Sequence, residues 1–88
     1  MLHIVSYDLI KRKDYPELIA RLKQYTSLKI LLSVWLVRTT WTAQETRDDL
    51  MGYIDADDRI FVGTMTKTTA WRNLIPADQA VVDFIQDS

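Results

Sequence analysis

The run Leu2–Asp8 is the feature that most restricts the fold, because it is apolar, β-branched at its centre and ends in a carboxylate. Runs of this type are typical of buried strands. Burying the Asp8 carboxylate would cost several kcal/mol unless another group paired with it. The sequence therefore predicts a catalytic or a structural site at the end of this strand. In a strand, one face carries Leu2, Ile4, Ser6 and Asp8, and the other carries His3, Val5 and Tyr7.

The composition predicts one small domain of 88 residues. An apolar content of 48%, with three Trp and four Tyr, is generous for a small core and favours a homodimer. The absence of Cys excludes disulfides and thiolate metal sites. No apolar run approaches the roughly 18 residues of a membrane span. We therefore expect a cytoplasmic protein that does not contact a membrane.

Charge is distributed unevenly along the chain. The net charge of −1 argues against a protein that coats nucleic acid without specificity. Residues 1–42 carry seven Lys and Arg against three Asp and Glu, whereas residues 43–88 carry four against nine. A basic half and an acidic half that face different partners would explain this pattern, and so would an evenly solvated surface.

Two capping-box patterns predict helices on either side of an apolar segment. Asp14 and Glu17, with Pro16 in the first turn, predict a helix over residues 15–25. Thr42 and Glu45 predict a second helix over residues 43–54. The intervening segment favours two short strands, over residues 28–31 and 34–39, although a single bent strand is the alternative.

The order of elements predicts an α+β fold. With a last core strand over residues 59–65, the order is β-α-β-β-α-β, which is typical of a ferredoxin-like sandwich. Residues 66–88 form an additional extension in which Pro76 opens a short amphipathic C-terminal helix. We therefore divide the chain into a core, 1–65, and an extension, 66–88, that packs on the open sheet face or on a second subunit.

Asp8 is the leading candidate for a catalytic and metal-binding residue. Magnesium accepts one or two carboxylates together with waters, so one Asp alone is a poor site. Two copies of Asp8 related by a two-fold axis would form a better one, and a structural or capping role is the alternative. His3 is expected to be a packed residue or an edge residue of the sheet, and the Asp55, Asp57 and Asp58 cluster is expected to be a turn.

The basic run after the first strand is the candidate contact for nucleic-acid phosphates, with the Ser6 hydroxyl as a weaker candidate. Tyr7, Trp35 or Trp41 could stack on bases. For each single residue, however, a solvated loop for the basic residues and ordinary core packing for the aromatic ones are the favoured explanations. The basic candidates are Lys11, Arg12 and Lys13, together with Lys29 and Arg38.

The order of several short motifs resembles that of a known family. Residues 5–9, Val-Ser-Tyr-Asp-Leu, resemble the strand-terminal V-x-Y-D-I/L of the small CRISPR-associated adaptation protein. Residues 22–25, Leu-Lys-Gln-Tyr, are similar to the end of that family's first helix. Residues 33–35, Ser-Val-Trp, occupy the place of the family's Ser-Val-Phe, and residues 57–60, Asp-Asp-Arg-Ile, resemble its late D-D-x-I/V. The resemblance covers residues 2–65.

The resemblance implies a ferredoxin-like homodimer in which Asp8 of each subunit faces a shared Mg²⁺ site. It implies a metal-dependent endonuclease of RNA or DNA that partners an integrase in spacer acquisition. Many members of that family are structural adaptors for DNA instead, and ribonuclease toxins share the fold.

The chain departs from the family pattern at four places. Its basic residues follow the first strand directly, without the Arg pair that usually enters the helix. Thr26 replaces the Gly that usually follows the helix-ending Tyr, and Leu32 replaces the Gln before Ser-Val. The extension, residues 66–88, differs from the short strand-exchanging tail of the family. These departures indicate a divergent, stand-alone branch and weaken the inferred partnership with an integrase.

Overall fold

The chain forms four strands and three helices within the residues that the computed structural model describes, 1–11 and 15–87. In chain order they are β1 (Leu2–Asp8), α1 (Pro16–Gln24), β2 (Thr26–Leu31), β3 (Val34–Arg38), α2 (Ala43–Met51), β4 (Arg59–Thr64) and α3 (Asp78–Gln86).

The four strands form one sheet in the order β2-β3-β1-β4, and every neighbouring pair is antiparallel. Strand β1 lies in the interior, with Val5 opposite Trp35 of β3 on one side and Val62 of β4 on the other. Strands β2 and β4 form the edges. The predicted α+β, ferredoxin-like fold with an additional C-terminal helix is confirmed.

The apolar segment between α1 and α2 forms two strands rather than one bent strand. Strand β2 begins two residues earlier than expected, at Thr26, and its register with β3 shifts between Lys29 and Leu31. The two strands meet in a tight turn at Leu32 and Ser33. This turn confirms the preferred interpretation of the segment.

Both core helices are shorter than predicted. Helix α2 begins at the predicted capping box, in which Thr42 and Glu45 each bond the other's backbone amide. It ends at Met51, and its C-cap residue is Gly52. Helix α1 begins at Pro16, after Tyr15, which provides no side-chain cap. The capping role predicted for Asp14 lies outside the described residues.

The two sheet faces carry separate apolar clusters. Helices α1 and α2 pack on the face of Val5 and Tyr7, whereas α3 packs on the opposite face through Val81 and Ile85. The extension was predicted to pack on the open sheet face or on a second subunit, and α3 packs on the sheet face of its own chain. The division into 1–65 and 66–88 stays a prediction. The α3 cluster contains Leu2, Ile30, Leu36, Val81 and Ile85, with Leu28, Val34, Met65, Trp71, Leu74 and Phe84 packed around it.

Candidate functional site

Asp8 ends β1 at an uncovered end of the sheet. It lies opposite Arg59 of β4 in the strand register, and the Arg59 Nη1 atom lies 3.1 Å from Asp8 Oδ2. The Asp8 side chain is 70% exposed and that of Arg59 is 77% exposed. The expectation of a buried carboxylate is therefore wrong, because α3 packs near the other end of β1, at Leu2, and leaves Asp8 in solvent.

Ser6 lies on the same sheet face as Asp8, two residues earlier in β1. It is half-buried, and its cross-strand neighbours are Val34 of β3 and Phe61 of β4. Ser6, Asp8, Arg59 and Phe61 together line an open depression of about 200 Å³. The structure thus brings together two of the predicted site residues and adds two that were not predicted.

Phe61 is the apolar member of this depression, and its side chain is 64% exposed. Its ring lies against Gly63: a Cβ atom on that glycine would come within 3.0 Å of Phe61 Cε1 and 3.7 Å of Ile4 Cγ2. The missing side chain at Gly63 therefore leaves room for the ring beside the sheet. The alternation of β4 places Phe61 and Gly63 on one face, but it does not indicate that Phe61 stays exposed there.

The basic residues after β1 are not brought to Asp8 as a group. Lys11 Nζ lies 3.1 Å from Asp55 Oδ2, and this carboxylate raises the pKa of Lys11. Lys11 lines a different cavity, of about 500 Å³, together with Tyr15 and Asp55. Arg12 and Lys13 lie outside the described residues, so their predicted phosphate contacts stay predictions.

The acidic cluster before β4 is a turn, as predicted. Through Asp58 it also binds the backbone that follows Asp8, at Ile10. Asp58 accepts hydrogen bonds from the backbone amides of Ile10 and Asp55, each at 2.8 Å, and from the Tyr15 hydroxyl at 3.2 Å. Burial alone raises the pKa of the Asp58 carboxyl, but these hydrogen bonds outweigh burial and hold the pKa below its usual value.

His3 is fully buried and has a structural role, as the sequence suggested. Its Nε2 lies 2.7 Å from the Trp41 carbonyl oxygen, which can only accept, so Nε2 carries the hydrogen. Its Nδ1 then accepts from the Thr64 hydroxyl at 3.0 Å. Both ring nitrogens are thus engaged.

Two of the three aromatic residues predicted to stack on bases are core residues. Tyr7 and Trp35 are 5% and 4% exposed, and Trp35 Nε1 donates to the Tyr7 hydroxyl at 3.1 Å. The stacking prediction is therefore wrong for both, because they face α1 and α2. Trp41 is 40% exposed, but it packs edge-on against Tyr25, far from Asp8.

The donor set at Asp8 fits Mg²⁺ only if two copies of the chain contribute. Within residues 1–11 and 15–87, no three His, Cys, Asp or Glu side chains gather into a metal-binding group. One carboxylate and one nearby hydroxyl are few ligands for an ion that prefers one or two carboxylates plus waters. A second Asp8 would bring the carboxylate count to the usual number.

No protein-family model matches the chain. Among the described residues, none of the helices has the length and apolar character needed to cross a membrane.

Proposed function

We propose that the chain is a homodimeric, nucleic-acid-associated protein of the CRISPR adaptation type, which hydrolyses phosphodiester bonds of RNA or DNA with Mg²⁺. The observation that carries this proposal is the exposure of Asp8 on the part of the sheet face that α3 leaves open. The Asp8 carboxylate ends an interior strand, and its partner among the described residues, Arg59, is solvent-exposed. Such a carboxylate can exchange that partner for a ligand.

In this proposal each residue of the depression has one role. Asp8 from each of two copies holds the ion, and a bound Mg²⁺ would neutralise phosphate charge and lower the pKa of a bound water. Ser6 donates a hydrogen bond to a phosphate oxygen. Arg59, released from Asp8, pairs with the phosphate. Lys11 belongs to a different cavity with Asp55, so the phosphate contacts predicted for Lys11, Arg12 and Lys13 would be made to other nucleotides of the same strand.

The cellular setting belongs to the same proposal. The chain works in the cytoplasm as a stand-alone dimer, and an integrase-type partner is a further candidate. A ribonuclease toxin of this fold would arrest growth when it is expressed, so harmless overexpression would contradict a toxin function.

The decisive experiment compares cleavage of RNA and DNA by the wild type and Asp8→Asn, with Mg²⁺ and with EDTA. We expect Asp8→Asn to lower the rate about a hundred-fold or more, since a catalytic metal contributes several kcal/mol. Asp57→Asn, in the exposed turn, is the matched control and should cleave normally. Equal rates for wild type and Asp8→Asn would remove Asp8 from the mechanism.

Stability measurements show whether a loss of activity in Asp8→Asn is caused by unfolding. Exposed ion pairs contribute little to folding, so Asp8→Asn should unfold at nearly the wild-type temperature. A loss of activity in that variant would then report on chemistry rather than on folding.

A second candidate is a non-catalytic dimeric adaptor, favoured by the guanidinium of Arg59, which already neutralises Asp8. In an adaptor, nucleic acid would bind without cleavage, and Asp8→Asn would leave binding unchanged. Binding through phosphates must weaken steeply with salt. Binding that does not change with salt would indicate a protein partner.

A further inference from the structure

We infer that Phe61 is a stacking platform for a base of single-stranded nucleic acid, on the sheet face that also carries Ser6 and Asp8. This inference rests on the proposed function and specifies its substrate class. Nucleic-acid-binding sheets of several protein folds use aromatic side chains on an open face in this way.

The position of Phe61 matches such a platform. The ring lies against Gly63, so the backbone of β4 supports it from below, while Phe61 stays 64% exposed. A Phe packed on glycine leaves its outer surface available for stacking. Every base has a π-face, so stacking on one ring tolerates any sequence.

The neighbours of Phe61 suit a nucleotide better than an apolar partner. Ser6 lies directly opposite Phe61, and the Asp8–Arg59 pair lies two residues further along the same strands. Two residues of strand span about 7 Å. The Ser6 hydroxyl and the Arg59 guanidinium can therefore both reach the phosphate that adjoins a stacked base.

An apolar occupant would meet a cost at this place. It would remove the Asp8–Arg59 ion pair from water together with the ring, and burying a charged pair costs more than its attraction returns unless the geometry is excellent. A nucleotide instead supplies a flat apolar surface, hydrogen-bonding edges and a negative charge. Those three features match the aromatic ring, the hydroxyl group and the guanidinium group in the depression.

A single strand is favoured over a duplex because the ring needs access to a base face. In a duplex the base faces are stacked on each other, whereas unpaired bases are free to splay onto a protein surface. RNA and DNA share this chemistry, so both belong in the test.

The experiment measures fluorescence anisotropy of labelled oligothymidylate, oligouridylate and a matched duplex, in EDTA so that no cleavage occurs. We expect the wild type to prefer the single strands and Phe61→Ala to bind them about 5- to 150-fold more weakly. Phe61→Trp should retain the affinity. Gly63→Ala should lower it, because the added methyl group displaces the ring. Ile75→Ala, which alters an exposed apolar residue beside the opposite edge strand β2, is the control and should bind as the wild type does.

A second readout reports stacking directly. A single 2-aminopurine in the oligothymidylate should lose fluorescence on binding to the wild type and not on binding to Phe61→Ala. Thermal unfolding of each variant verifies that it is folded, and light scattering gives its mass under the assay conditions.

The outcomes separate this inference from the proposed function. Wild-type binding that Phe61→Ala leaves unchanged, or a preference for duplex, would overturn the inference and leave the proposed function standing. No binding of single strands by the wild type would also overturn the inference, and the cleavage assay with Mg²⁺ would then decide the proposed function separately. A dimer that Phe61→Ala converts to monomer would show that a second copy of the chain, and not a base, covers the ring.

Discussion

The Arg21 guanidinium binds the Asp49 carboxylate with two hydrogen bonds, Nε to Oδ2 at 2.8 Å and Nη2 to Oδ1 at 3.0 Å. This contact joins α1 to α2 above the sheet. The Tyr25 hydroxyl donates a third bond to the same carboxylate at 2.5 Å. Paired, planar bonds between Arg and a carboxylate are among the stronger polar contacts in proteins.

We expect Asp49→Ala to lower the free energy of unfolding by about 1–3 kcal/mol, because it removes the acceptor of three hydrogen bonds, two from Arg21 and one from Tyr25. Urea unfolding followed by circular dichroism measures the change. The control is Asp48→Ala, whose carboxylate pairs only with its exposed neighbour Arg47 among the described contacts. Equal effects of the two substitutions would show that the contact between the helices contributes little.

The contribution of Asp49 should depend on pH. Burial alone raises the pKa of Asp49, but the hydrogen bonds from Arg21 and Tyr25 outweigh burial and leave the pKa below its ordinary value of 3.8. A folded-state pKa below the unfolded one gives stability that is fully present above the unfolded pKa and is lost as the pH falls through the folded one.

The stability difference between wild type and Asp49→Asn should therefore be constant near neutral pH and shrink below about pH 4. Unfolding in urea at a series of pH values measures it. Acidic residues elsewhere, such as Asp58, are present in both proteins, so their contributions cancel in the difference between the two unfolding free energies. A difference that grew on acidification would contradict the lowered pKa.

Thr64→Val should destabilise the protein although Thr64 itself is exposed. The substitution removes the donor to Nδ1 of the buried His3, and an unsatisfied buried polar atom costs about 1–3 kcal/mol. Thermal unfolding measures the loss. Thr68→Val, at an exposed position in the extension, is the matched control and should unfold as the wild type does.

Ile85→Ala tests the docking of α3. Ile85 is 4% exposed on the sheet, and truncating a buried Ile to Ala costs about 2–5 kcal/mol. Ile75→Ala is a control of the same residue type, because Ile75 is 57% exposed. Chemical denaturation of both variants gives the comparison. If the two lost equal stability, α3 would not be packed on the sheet in solution.

The fold was predictable because its signals are local. The alternation of β1 gave the bounds of that strand, and the exchange of bonds between Thr42 and Glu45 gave the start of α2. The end of α1 was not predictable: Tyr25 is already extended and the Ser27 hydroxyl bonds the Leu22 carbonyl, so helix passes directly into strand.

The site was less predictable than the fold. Asp8 was identified from its place at the end of an apolar run, but its exposure depends on how far α3 reaches across the sheet. Phe61 was missed for the same reason. Its sequence context is that of an ordinary strand residue, and only the packing of residues far away in the chain leaves it uncovered.

The interior place of β1 has a consequence for how the chain folds during synthesis. Asp8 lies opposite Arg59, and His3 lies opposite Thr64, so the earliest strand of the sheet pairs with its last one. Contacts this distant in sequence form slowly, because the chain loses the entropy of closing a long loop before the contacts can stabilise it. While residues 9–58 are being translated, the apolar side of β1 cannot complete its sheet and stays open to wrong contacts. The strand that ends in Asp8 is therefore the part of the nascent chain that most needs protection.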